Sequence, residues 1–459
     1  MTRQPFFTRD RSFYRELFHL TLFIALQNVI VTMVGLVDNI MIGNYSQDAM
    51  TGIGLANQIQ FLLQMVIGGI AEGTVVLGSQ YWGTRRNGPI RRVVSISLRF
   101  ALVVGAIFMA LGLICPEQLL SLLTNEPNAI REGVSYIRIM SFSYILFCCG
   151  NVLVSAQRSV ENVRVAMVGS LCALLVNVVL NYALIYGRFG LPELGARGAA
   201  IATLVGRIVE FSVIAAYTLR IDKKLEFRPS DVLHVDPVLL RDYIKVAVPV
   251  MLSGLSWGLA MSIQTAILGH IDQNGTAIAA NSISNTLFQV ITVATYGLSS
   301  ASGVVTGKAV GRDDRNNLRA YVRTMQVLFI CMGLVTSLAL FLLRPVVLGA
   351  YNITEEAYRM SDQFLLVLCV TVIGTAYQVS CLTGIVRGGG NTKFVFYNDL
   401  IFMWGIVLPT SLLAAFVWHL NPVIVFCCLK CDQILKCAVA VWEVNSYHWV
   451  KKVARDAVE

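Results

Sequence analysis

The sequence predicts an all-α integral membrane protein with twelve transmembrane helices in two pseudo-symmetric six-helix bundles. Three observations carry this reading. The chain is 56% hydrophobic and only 14% charged, a polytopic membrane composition. Apolar runs long enough to cross a bilayer core of about 30 Å recur almost without pause. The second half of the chain repeats landmarks of the first.

Apolar runs bounded by loop signals fall near residues 15–42, 49–82, 92–115, 131–157, 165–187 and 198–220, and again near 242–270, 276–308, 319–343, 357–387, 394–418 and 422–446. Each is long enough to span with some tilt. Met1 to Glu16 is polar and basic, and the run after it carries Asp38 and has no small-residue cleavage site. It reads as a retained first helix, not a signal peptide. The stretch Arg220 to Asp242 is charged and contains Pro229 and Pro237, which makes it the linker. The expected domains are an N-terminal lobe at 1–220, a cytoplasmic linker at 221–241 and a C-terminal lobe at 242–459.

The net charge of +9 does not indicate a nucleic-acid partner, because the bases sit in short loops between apolar runs. Arg85, Arg86, Arg91, Arg92, Arg158, Arg164, Lys223, Lys224, Arg312, Arg315, Arg319, Arg387 and Lys393 fall on the side of the N-terminus. Glu117, Glu126, Glu355 and Glu356 fall on the other. The positive-inside rule then places both termini in the cytoplasm of a multi-pass protein of the cell (plasma or inner) membrane. The eleven cysteines lie almost entirely in apolar segments, where packed thiols are expected. The Cys428 to Cys431 spacing has no second pair beside it, so no metal site is expected there.

The repeat has an offset of about 226 to 229 residues. Val37-Asp38-Asn39-Ile40-Met41-Ile42-Gly43 aligns with Ile263-Gln264-Thr265-Ala266-Ile267-Leu268-Gly269, and Ser79-Gln80-Tyr81-Trp82-Gly83 with Gly307-Lys308-Ala309-Val310-Gly311. Arg158, Asn162 and Arg164 recur as Arg387, Asn391 and Lys393. Six helices per half, an even number, put both halves in the same orientation about an axis along the membrane normal. A cavity between two lobes, open to one side at a time, is the expected consequence.

A charge inside a membrane helix costs at least about 2.5 to 3.5 kcal/mol, so each one requires a reason. Asp38 follows nine apolar or small residues from Val29 and has no base within a helical turn. It is a candidate for binding a coupling ion, or else pairs with a base on another helix or lies close to the headgroups. Asn177 and Asn181 stand at i, i+4 on one helical face, and Thr203 follows the small-residue run from Gly198. With Asp38 they supply one carboxylate and neutral oxygens, a set suited to a proton relay, to Na+, or to interhelical hydrogen bonding alone.

Glu72, among glycines, faces either the cavity or a base; Arg207 and Glu210 pair with each other. Asp399, five residues before Trp404, is the leading acid of the second half. Gly69, Gly73 and Gly78 mark close packing, and Pro249 and Pro409 mark bends. His19, His234, His270, His419 and His448 are scattered. No GxSxG elbow, P-loop or HExxH is expected, so neither an enzyme nor a cofactor is.

The motif from Val37 to Gly43, the run Gly384-Ile385-Val386-Arg387-Gly388-Gly389-Gly390-Asn391-Thr392-Lys393 and the stretch Gly195 to Thr203 resemble those of the multidrug and toxic compound extrusion (MATE) family, over about Arg15 to Lys452. The resemblance implies two six-helix lobes in a V shape and export of amphipathic organic cations in exchange for H+ or Na+ by a monomer. It implies that Asp38 is the protonatable first-helix carboxylate, with Asn177, Asn181 and Thr203 at that lobe's ion-site positions.

Three departures stand out. Asn181 occupies a position where some members have an acid. No acid occurs from Tyr243 through Ile271, where many relatives carry a glutamate, so Asp399 replaces it only partly. No proline lies between Glu16 and Gly43. Cation selection is expected from Asp38 and Asp399 with a lining of Trp257, Gln264, Phe288, Gln289, Trp404 and Glu72, since aromatic faces attract desolvated cations. The nearest alternative is a flippase for a lipid-linked substrate of the same broad superfamily, whose anionic headgroup would favour a basic cavity.

Overall fold

Long apolar runs with polar ends give long capped helices. The computed structural model describes residues 7–124, 126–228, 230–231, 236–271, 275–351 and 353–455; Pro229 and His234 lie outside them. The described elements are α1 (Arg11–Gly43), α2 (Gln47–Gly83), α3 (Asn87–Ile114), a short α4 (Pro116–Ser121), α5 (Pro127–Ser159), α6 (Arg164–Ile185) and α7 (Ala196–Ala216). They continue with α8 (Pro237–Ile271), α9 (Thr276–Gly311), α10 (Arg315–Ala350), α11 (Glu355–Val379), α12 (Thr392–Leu400), α13 (Leu408–Leu412), α14 (Pro422–Lys430) and α15 (Asp432–Ser446). Starts are set by side-chain caps: Ser46, Asp314, Thr354 and Asn421 accept the backbone N–H of Ala49, Asn317, Ala357 and Val423. Proline opens α4, α5 and α14, where its missing N–H costs nothing.

Among the described residues, eleven helices are long and apolar enough to cross a membrane. The eleventh runs from Thr392 to Val417 and alternates α-helix with π-helical stretches at Ile401–Val407 and Leu413–Val417, flanking Pro409 in α13. The twelfth apolar segment is broken at Cys431 into α14 and α15, where Lys430, Asp432 and Lys436 interrupt the run.

The repeat is visible in the backbone. Left-handed residues follow corresponding helices at Arg85 (φ 59°) and Asp313 (φ 53°), at Glu161 (φ 61°) and Gly390 (φ 99°), and at Gly190 (φ 78°) and His419 (φ 46°). After α7, Lys224 Nζ donates to Val160 O at 2.9 Å. After α15, Lys451 Nζ donates to Asn391 Oδ1 at 2.9 Å. Equivalent turns are thus tied down by equivalent lysines.

The chain forms two compact units. One comprises the described part of Met1–Ala25 with Leu252–Arg455, the other Leu26–Met251. Compactness divides the chain inside α1 and α8, at repeat-equivalent positions. Glycines explain this. A Cβ on Gly69 of α2 would lie 2.4 Å from Met251 Cα, and one on Gly73 2.8 Å from Ala247 Cβ, so the first half of α8 packs on α2. Tyr243 Oη adds a bond to Ile70 O at 2.7 Å.

In the other unit, Gly297 of α9 admits Ala25 and Thr21 of α1, its built Cβ falling 3.0 Å from Ala25 Cβ. The Lys308–Glu16 pair (2.8 Å) and the stacked rings of Phe13 and Tyr321 (4.4 Å) hold the same segment. Each unit therefore contains the first half of the other repeat's leading helix.

The run Gly388-Gly389-Gly390 is a packing device. A Cβ on Gly388 would sit 2.6 Å from Gly303 O, and one on Gly389 2.1 Å from Cε3 of the fully buried Trp449. Gly389→Ala is therefore expected to cost about 1–3 kcal/mol by overpacking and to lower the thermal unfolding temperature of the detergent-purified protein. An unchanged melting curve would contradict this packing.

Candidate functional site

The i, i+4 spacing on α6 places Asn177 and Asn181 on one buried face, and α1 and α7 close over it. Asn181 Nδ2 donates to Asp38 Oδ1 and, at 3.1 Å, to Asn177 Oδ1. Asn177 Nδ2 donates to Thr203 Oγ1 at 3.3 Å, and Thr203 Oγ1 lies 3.5 Å from Asp38 Oδ2 as donor. Asp38, Asn181, Asn177 and Thr203 thus form a closed ring from three helices.

Small residues on α7 make the ring possible: a Cβ on Gly198 would stand 2.6 Å from Leu184 O of α6. Buried Tyr136 of α5 reaches Thr203 and lies close to Asp38. Asn181 Oδ1 is buried with no hydrogen-bond partner. A cavity of about 20 Å³ lined by Val31, Val34, Ala173, Asn177, Thr203, Gly206 and the Ser170–Arg207–Glu210 group adjoins the ring, room for about one water-sized occupant.

Glu210 and Glu72, two other acids within the membrane helices of this unit, are each engaged by an arginine. Arg207 pairs with Glu210 at 2.8 Å as its i, i+3 spacing suggests, Ser170 Oγ donates to Glu210 at 2.7 Å, and the guanidinium lies 5.0 Å over the Phe147 ring. Glu72 faces a base: Arg158 stands 3.7 Å away. Asp38 is held by amides and a hydroxyl, with Arg207 acting at longer range while bound to Glu210.

In the C-terminal unit Asp399 is not alone. Its Oδ1 accepts from Lys436 Nζ of α15 at 3.0 Å and its Oδ2 from Ser253 Oγ of α8 at 2.6 Å. Lys436 also lies 3.4 Å from Asp432 Oδ2, one turn earlier on α15. Lys436 and Asp432 were not singled out in the sequence. Their signal was charge inside the last apolar segment, but the partner in α12 lies 37 residues from Lys436.

The expected lining residues divide. Trp404 Nε1 donates to Ser256 Oγ at 2.7 Å, and Trp257 is exposed. Gln289 is exposed, whereas Phe288 packs partly against the apolar core of this unit. Gln264 is buried and donates to Met403 Sδ at 3.3 Å. One sequence expectation needs correction: Gly254-Leu255-Ser256-Trp257-Gly258 does have the GxSxG spacing. It lies inside α8, whereas a nucleophile elbow requires a sharp strand-to-helix turn.

A family model described as MatE matches residues 24–183 and again 249–413, one stretch in each repeat. The chain belongs to the MatE family. This MatE protein is 26% identical over 418 residues to the uncharacterized transporter YisQ of Bacillus subtilis, with 88% of each chain covered. It is 24% identical over 446 residues to the probable multidrug resistance protein NorM of Thermotoga maritima, covering 95% of this chain and 93% of that one.

Its fold matches a MATE crystal structure in the bent conformation with a TM-score of 0.86 at 17% identity, over 96% of this chain and 97% of that one. It also matches a MOP superfamily transporter from Pyrococcus furiosus, reported with a binding pocket of reversed polarity, with a TM-score of 0.85 at 18% identity over 96% and 98% of the two chains. The chain is therefore a multi-pass membrane transporter of the MATE type.

Proposed function

We propose that this transporter is a secondary antiporter that exports organic cations in exchange for protons or sodium ions by alternating access. It acts as a monomer in the cell membrane with both termini cytoplasmic. The observation that carries the reading is the sorting of acids in the N-terminal unit. Glu72 and Glu210 each have an arginine, whereas Asp38 is held by neutral groups. A membrane carboxylate balanced by amides has room for one exchangeable positive charge.

The ring gives that exchange a simple device. As an anion, Asp38 accepts the Asn181 N–H. Turning the amide over presents the unpartnered Oδ1 instead, which accepts from a protonated carboxyl or ligates Na+ together with Asn177 and Thr203. Ion loading then biases the protein toward one face and substrate toward the other. In the C-terminal unit, Asp399 with Trp257 and Trp404 supplies an acidic and aromatic surface for an organic cation, to which Phe288 and Gln289 contribute. A lipid-linked anion would want an unbalanced buried base, and Lys436 lies between two acids.

Proteoliposomes loaded with a fluorescent organic cation test this directly. Export is expected to follow an imposed inward H+ or Na+ gradient and to collapse when that gradient is dissipated. Export indifferent to both gradients would remove antiport.

A further inference from the structure

The C-terminal unit holds a three-charge group that the N-terminal ion ring does not use. Lys436 is 6% exposed and stands between Asp399, 28% exposed, and Asp432, 2% exposed. Both α15 residues lie beyond residue 413, where the second family-matched stretch ends. With both carboxylates ionised the trio carries one net negative charge in a low-dielectric setting, which favours uptake of one more cation.

The geometry is asymmetric in a useful way. Asp432 is buried and additionally fixed by Gln433 Nε2, 3.0 Å from each of its oxygens. Asp399 is the member that reaches the surface, with Ser253 on its other oxygen. It lies two residues before the π-helical stretch Ile401–Val407, which carries Trp404. Interrupted helices of this kind recur at functional sites. The cation now seated between the two acids is the chain's own Lys436 ammonium.

We propose that Asp399, Lys436 and Asp432 form an internal cation-exchange site for lipophilic organic monocations. The incoming cation settles against Asp399 beside Trp404, and Lys436 moves fully onto Asp432. Lys436 is thus a tethered competitor that sets the affinity threshold: a weakly hydrated organic cation displaces it, and a strongly hydrated inorganic ion does not. The step is non-covalent and moves no proton. This rests on the organic-cation reading above but not on Asp38.

Equilibrium binding of tetraphenylphosphonium to the purified full-length protein, with no gradient present, is the test. Lys436→Met removes the competitor and is expected to tighten binding at least about tenfold. Asp399→Asn removes the receiving carboxylate and is expected to weaken it at least about tenfold. Asp432→Asn keeps the Lys436–Asp399 pair but denies the lysine its second partner, and is also expected to weaken binding about tenfold.

Wild-type binding in Asp399→Asn or Asp432→Asn overturns the proposal even if Lys436→Met does not fold. So does a folded Lys436→Met that binds no more tightly than wild type. The same ratios are expected in an Asp38→Asn background. Failure of ion coupling at Asp38, seen as unchanged gradient-driven export, is thereby told apart from failure of this site, seen as unchanged binding ratios.

Discussion

Asp38→Asn is expected to reduce gradient-driven export of an organic cation by about 5- to 150-fold, the range of a typical coupling free energy between two sites. The substitution is nearly isosteric, and Asn181, Asn177 and Thr203 retain their bonds to one another. The ring should therefore stay assembled while losing its one charge. Everted vesicles report the rate, and gel filtration with thermal unfolding reports the fold. Full gradient-dependent export by a well-folded Asp38→Asn protein would remove Asp38 from coupling.

The second large effect is expected from Asn181→Asp. It puts a second carboxylate against Asp38, where Asn181 now donates a hydrogen bond. Two unit charges about 4 Å apart interact by about 4 kcal/mol at an effective dielectric of 20, and a bound cation relieves that repulsion. Sodium-stimulated export should then reach half-maximum at least about tenfold lower in Na+ than in wild type. The neighbouring neutral oxygens already suit a hard monovalent ion. A Na+ titration that superimposes on wild type would contradict the ring as the ion's location.

Hydropathy and the repeat made the helical architecture legible, because both are properties of single segments. The ring was legible for the same reason: Asn177 and Asn181 stand one turn apart, so a single face could be read from spacing alone. Pairing between distant helices was not. Nothing local to Glu72 names Arg158, and nothing local to Asp399 names Lys436.

The division into compact units was hidden in the same way. Gly69 and Gly73 were readable as close-packing positions, but that their partner is the first half of α8 is a tertiary fact. The triglycine run was recognisable as a motif, yet its cause, Trp449 lying across Gly389, comes from the far end of the chain. The break at Cys431 was missed because apolar content outweighs three charges in a hydropathy window, whereas the backbone answers to each charge.

The central claim is that one exchangeable ion resides at Asp38 and leaves when substrate binds. Adding tetraphenylphosphonium to the purified, ion-loaded protein in weakly buffered solution, while following released H+ with a dye and released Na+ with a tracer, measures this. Wild type is expected to release about one ion per chain and Asp38→Asn none, since linkage between the two sites is reciprocal. Equal release from both proteins, or none from wild type at saturating substrate, would contradict the account.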